Sequence, residues 1–202
     1  MGAIVSDEGS KPEVLSRIAQ ATAALTKLKP IWRDNNISLG SKVNLMRCLV
    51  ISIFLYACES WTLTAELEKI TQAVEMRCYR KLLNISYRDH ATNEEVHRKI
   101  QVAIGEYDEL LTLIKKRKLR WFGHVSRASG LAKTILQGAV KGERRRGRQR
   151  KSWEVNIKKW TGMDFASTTR AAEYRTKWRG VVVKSSVVPQ RPGRVMGYTR
   201  LD

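Results

Sequence analysis

KKRKLRWFGHVSR, Lys115–Arg127, is the stretch on which the fold turns. Cations fill five of its first six positions, yet Tyr107, Leu110, Ile114, Lys118, Trp121 and Val125 recur in steps of three and four. That is the period of one helix face, here apolar with a single cationic interruption. Lys115–Arg127 therefore reads as a helix with one apolar and one basic side. Trp121 beside Phe122 is expected to pack, with Lys118 and Arg120 pointing outward.

Downstream, KGERRRGRQRKSW (Lys141–Trp153) carries Lys141, Arg144, Arg145, Arg146, Arg148, Arg150 and Lys151 against Glu143 alone. Like charges at this density repel unless a polyanion is close, and nucleic acid is the commonest polyanion. The residues expected to touch phosphate are Lys115, Lys116, Arg117, Lys118, Arg120, Arg144, Arg145, Arg146, Arg148, Arg150, Lys151, Lys158 and Lys159. Gly130, Gly138, Gly142 and Gly147 punctuate the next stretch, with much of Lys141–Gly147 read as loop, and Trp153, Ile157 and Trp160 predict a basic helix from about Arg148 to Trp160, ended by Thr161-Gly162. Helical spacing assigns Trp121, Trp153, Trp160 and Trp178 to packing ahead of base stacking. His124 is read as a structural histidine. RRRGRQRK also has the composition of a nuclear import signal, and a solvated loop is the plainest alternative.

The formal charge of +19 is divided unevenly over the 202 residues. Residues 1–110 hold fourteen Lys/Arg and fourteen Asp/Glu, whereas residues 111–202 hold twenty-four against five. A neutral platform carrying a polyanion-binding half is the expected organisation. Cys48, Cys58 and Cys78 show no CxxC spacing and, with no secretory signal, imply reduced thiols in the nucleus or cytoplasm. The apolar run Val43–Cys58 is short for a membrane span and is interrupted by Asn44, Arg47 and Ser52, so it reads as a buried helix, with no membrane partner expected. His90, His97 and the cysteines fit no tetrahedral metal site. Asp164 and Glu154 make no nuclease pattern, and no nucleophilic triad has supporting context. No catalytic residue, cofactor, metal or small-molecule ligand is expected.

The first half reads as helices in series. Ser10-x-x-Glu13 has capping-box spacing, with Pro12 in the first turn and Pro30 ending the helix near Lys29. Val14, Ile18, Ala21, Leu25, Leu28 and Trp32 form its apolar seam. Ser38 caps a second helix over roughly Leu39–Cys58, expected to be the central core element. Thr64 opens a third, with Leu67, Ile70, Val74, Cys78 and Leu82 inward and Arg77, Arg80 and Lys81 outward. Thr92-x-x-Glu95 starts another, broken near Gly105. A last helix is expected from near Ala166 to Val182, with Ala171, Tyr174, Trp178 and Val181 inward, before a loose tail at 183–202. The fold class is mainly α, with a short extended segment at the N-terminus.

The order LKPIW (28–32), LYACESWTL (55–63), EMRCYRKLLNISY (75–87), RKLRWFGHV (117–125), GERRRGRQRKSW (142–153) and IKKWTG (157–162) resembles the C-terminal portion of LINE-type, non-LTR endonuclease–reverse transcriptases. The resemblance covers the chain to about Gly193. It implies a palm-end remnant at 1–10, a helical thumb over 11–90 (Leu15–Leu83 at its centre) and a basic region over 91–182. It further implies a template–primer backbone as the RNA or DNA partner. Gln149 stands where many relatives have Pro. No Tyr-x-Asp-Asp box occurs, and Asp7-Glu8, Glu94-Glu95 and Asp108-Glu109 lie in a turn or on expected helix surfaces. Two-metal phosphoryl transfer needs carboxylates converging on ions about 4 Å apart, so a non-catalytic fragment is expected. The other reading is a self-standing nuclear interaction protein.

Overall fold

A computed structural model describes residue 2, residues 9–137 and residues 151–186. Every regular element among them is helical. The extended segment expected at the N-terminus, the Lys141–Arg150 cluster and the tail beyond 186 lie outside the described residues.

The order is α1 (Lys11–Lys27), α2 (Lys29–Arg33), α3 (Leu39–Met46), a π-helical turn (Arg47–Ile51), α4 (Ser52–Phe54), α5 (Ala65–Leu82), α6 (Asn93–Ile104), α7 (Leu110–Arg127), α8 (Leu131–Gln137), α9 (Trp153–Thr161), α10 (Phe165–Glu173) and α11 (Arg175–Ser186). Short 3-10 turns at Cys58–Ser60 and Tyr87–Asp89 connect them. Local chemistry sets several helix starts. The Ser38, Thr64 and Thr92 hydroxyls accept from the backbone N–H three residues on, and Glu95 answers Thr92 to complete a capping box. Gly105 and Gly162, with φ of 77° and 69°, end α6 and α9 in a backbone region open to glycine.

Four expectations are corrected. Ser10 does not cap α1, because its hydroxyl accepts from Thr62 N–H at 2.8 Å while Glu13 pairs with Arg17 at 2.6 Å. The second helix does not run to Cys58. It widens into the π turn and stops at Phe54, and Ala57 enters the left-handed region at φ 55°. The last helix is two helices that break at Tyr174 (ψ 101°), which leaves the Tyr174 ring exposed rather than inward. Residues 183–186, expected in the tail, continue α11.

Two apolar clusters result. The larger gathers Val14, Trp32, Val43, Met46, Val50, Phe54, Trp61, Leu67, Val74 and Tyr79, with Leu110, Leu111 and Ile114 from the start of α7. The smaller holds Leu119 and Phe122 from the middle of α7 with Ile157, Ala171, Ala172, Trp178 and Val182. Helix α7 thus belongs to both, and Trp160 packs against each. The helix expected at the centre, α3–α4, serves only the first. Burying this much aliphatic and aromatic surface is the main force holding the helices together, at about 25 cal/mol per Å² of apolar area.

The π turn has a visible consequence. Arg47, its first residue, donates from Nη1 to the Tyr79 hydroxyl and from Nη2 to Asp108 O, each at 3.0 Å, over the Tyr107 ring. It ties α3 to α5 and to the loop before α7. Beside it Glu75, 3 % exposed, accepts from Leu110 N–H at 3.0 Å. Burial, the largest influence, pushes the Glu75 carboxyl up to about 7. A carboxyl whose folded value is raised contributes stability that is present below its unfolded value and is lost as pH rises through the folded value. Relative to Glu75→Gln, the native chain should lose up to about 3 kcal/mol between pH 4.5 and 7. Urea unfolding at three pH values checks this, and equal pH profiles would show that folding leaves the Glu75 carboxyl unshifted.

Candidate nucleic-acid interface

Helix α7 sorts its cations by face. Arg117, Arg120, Trp121, His124 and Arg127 lie in steps of three and one along its exposed side. Arg117 Nη1 donates to Leu55 O at 3.2 Å and Arg127 Nη1 to Ala172 O at 2.6 Å, so both guanidiniums are oriented by backbone carbonyls with N–H groups left over. Among the described residues no carboxylate pairs with Arg117, Arg120 or Arg127. Lys116 is half-buried and paired with Asp108 at 2.6 Å. Trp121 stays 39 % exposed, its ring edge-on to Trp153 at 5.5 Å, and so offers a face among the arginines.

Lys115 and Lys118 lie on the other side of α7, which corrects the expected outward Lys118. Lys118 is fully buried and Lys115 only 8 % exposed. The seam that runs Ile114, Lys118, Val125 continues straight through the cation because a polar partner waits inside. Lys118 Nζ donates to Trp61 O and, at 3.0 Å, to Asn156 Oδ1, with the Trp153 ring 4.4 Å away. Asn156 in turn holds Leu63 by both backbone groups, accepting from its N–H and donating to its C=O at 2.8 Å each. Lys151 Nζ reaches the same Leu63 O at 2.6 Å. Burial first, and the Lys151 ammonium second, pull Lys118 down to about 6. Lys115 and Lys151 are also lowered, chiefly by burial, with the Lys159 ammonium adding to both and Glu68 opposing. Lys118 and Lys151 join the two halves of the molecule through Trp61 O and Leu63 O, and Lys115 lies buried 5.7 Å from the Trp160 ring.

On α9, which starts at Trp153 rather than near Arg148, Lys158 pairs with Glu154 at 3.3 Å and Lys159 is exposed. Arg144, Arg145, Arg146, Arg148 and Arg150 lie outside the described residues. Among the described residues of 111–202, exposed cations beyond the expected set are Arg127 on α7 and Arg170, Arg175, Lys177, Arg179 and Lys184 on α10 and α11. The excess of cations over residues 111–202 already pointed to them. Trp178 is buried as expected, Trp153 and Trp160 are half-buried, and Trp121 is the open one. His124 is exposed, with no side-chain hydrogen bond among the described residues, so it is not held in the structural role expected of it.

The described residues bring no three His, Cys, Asp or Glu side chains together in a metal-binding group. Burial pushes the Cys58 and Cys78 thiols up to about 12, away from thiolate chemistry. No described helix is long and apolar enough to cross a membrane.

No known family matches the chain, and no solved structure does. A transposon-derived protein of Caenorhabditis elegans is 28% identical over 116 residues, covering 57% of this chain and 41% of that protein. The chain thus matches well under half the length of that relative, and a distant similarity to a transposon-derived protein is what the comparison establishes.

Proposed function

We propose that the chain is the thumb and basic C-terminal part of a non-LTR retrotransposon reverse transcriptase. On this reading it has no catalytic activity alone and holds a template–primer backbone through sequence-independent phosphate contacts. The outward face of α7 carries the reading: three arginines and His124 surround a half-open tryptophan, with no carboxylate paired to the arginines among the described residues. Guanidinium groups suit phosphate oxygens through paired N–H donors, and an accessible indole suits a base face. The similarity to a transposon-derived protein supports the origin, and the run of cations at 141–151 continues the charge in sequence.

The physical signature is counterion release. Engaging about six phosphates should give a slope near −5 in log K against log salt for duplex DNA. Replacing Arg144, Arg145 and Arg146 together by alanine should lower that slope by about three, and Arg120→Ala by about one. A slope near zero, or one that both variants leave unchanged, refutes backbone binding by this surface.

A further inference from the structure

The neutral half contains a cationic groove of its own. A cleft of about 480 Å³ lies between α1 and α5, lined by Arg77, Arg80 and Lys81 of α5, Thr22 and Leu25 of α1, and Ile85. Its volume lies in the range of small-molecule sites. No carboxylate lines it, and among the described residues none pairs with its three cations. Arg77 and Lys81 stand four residues apart on one helix, where like charges repel. Both are in the last two turns of α5, where the helix dipole favours cations, and that accounts for positive charge at this end but not for its gathering about a cavity.

Arg80 is the preorganised member. It is half-buried, and its Nη2 donates to Ala91 O at 3.1 Å and to Asn93 Oδ1 at 2.7 Å, so the guanidinium plane is fixed while its remaining N–H groups stay available. Three cations and the Thr22 hydroxyl present more donors than the two oxygens of a carboxylate can accept. A dianionic tetrahedral group with three terminal oxygens matches them better. Leu25, 4 % exposed, and the half-buried Ile85 supply an aliphatic wall for whatever carries that group.

We propose that this groove binds a phosphomonoester on a nucleotide-sized body, with Arg80 as the fixed contact, Arg77 and Lys81 closing on the same phosphate, and Leu25 and Ile85 against the organic part. The site is separate from the α7 face and stands whether or not that face binds a nucleic-acid backbone. The carrier is a free nucleotide or the 5′-phosphorylated end of a strand.

The test is calorimetric titration of adenosine monophosphate into the full chain, with adenosine as the control lacking phosphate. The monophosphate should bind and adenosine should not. Arg77→Gln, at an exposed position that leaves Arg80 and its partners untouched, should weaken binding about tenfold, the loss of one charge-assisted hydrogen bond. Replacing Arg144, Arg145 and Arg146 by alanine should leave it within about twofold, which separates this site from the arginine-rich run. Displacement by a 5′-phosphorylated but not a 5′-hydroxyl oligonucleotide assigns the phosphate to a strand end, and displacement by neither assigns it to a free nucleotide. No binding of the monophosphate, binding that Arg77→Gln leaves unchanged, or equal displacement by both oligonucleotides overturns the proposal.

Discussion

Gly123→Ala is expected to destabilise the chain by about 3 kcal/mol, the upper end of what overpacking a core costs. A Cβ at Gly123 would sit 2.2 Å from Trp178 Nε1 and 2.3 Å from its Cδ1. The indole cannot simply withdraw. It is 3 % exposed, its centroid is 5.4 Å from that of Phe122, and its N–H donates to Leu119 O at 3.0 Å. That carbonyl is one helical turn before Gly123, so only a residue without a side chain lets the ring approach it. The displaced indole would also lose its acceptor, which adds the cost of a buried donor left unpaired. Denaturant unfolding measures the loss, with exposed His124→Ala expected within about 0.5 kcal/mol of the native chain as control. In a Trp178→Ala background the cost of Gly123→Ala should largely vanish. An undiminished cost there would mean that the steric account is wrong.

The second large effect is a dependence on pH at Lys118. Its folded value, about 6, is depressed from 10.5. A group depressed on folding contributes stability that is fully present above its unfolded value and is lost as pH falls through its folded value. Stability should therefore rise between about pH 6 and pH 10.5, by on the order of 6 kcal/mol if the whole shift is realised. Lys118→Met keeps the length and removes the proton. The native chain should exceed this variant most at alkaline pH, where a neutral amine keeps its bonds to Trp61 O and Asn156 Oδ1. The gap should narrow steadily toward pH 6. A constant gap across that range would show that Lys118 remains an ammonium ion when buried. The two buried groups pull in opposite directions, since Glu75 favours the acid side and Lys118 the alkaline side, and neither profile can be inferred from the other.

How much of this was legible depended on how far away each residue's partner lies. Ser38, Thr64 and Thr92 each cap the turn that follows them, so three residues of sequence are enough to read them. Ser10 has the same spelling but accepts from a backbone N–H 52 residues away, and no local rule reports that. The π turn was hidden inside an apolar run, where a change of register leaves every residue hydrophobic. Lys118 received two conflicting instructions, a periodicity that placed it inward and a charge that placed it outward. The periodicity prevailed because a carbonyl 57 residues upstream and an amide 38 residues downstream accept its protons. For the interface, the basic side of α7 was legible through Arg117 and Arg120, which follow the helix period. The removal of Lys115 and Lys151 from that surface was not, since it depends on where α5 and α9 come to rest.

The pairing of Asn156 with both backbone groups of Leu63 also bears on kinetics. It joins positions 93 residues apart, farther than any described helix reaches. Closing so long a span costs chain entropy that helix formation alone does not repay, so such a contact belongs late on the folding route. A late contact acts chiefly on the rate of opening and little on the rate of folding. Asn156 therefore works as a latch alongside Lys118 and Lys151, lengthening the time the basic half stays fastened to the neutral one once both have formed.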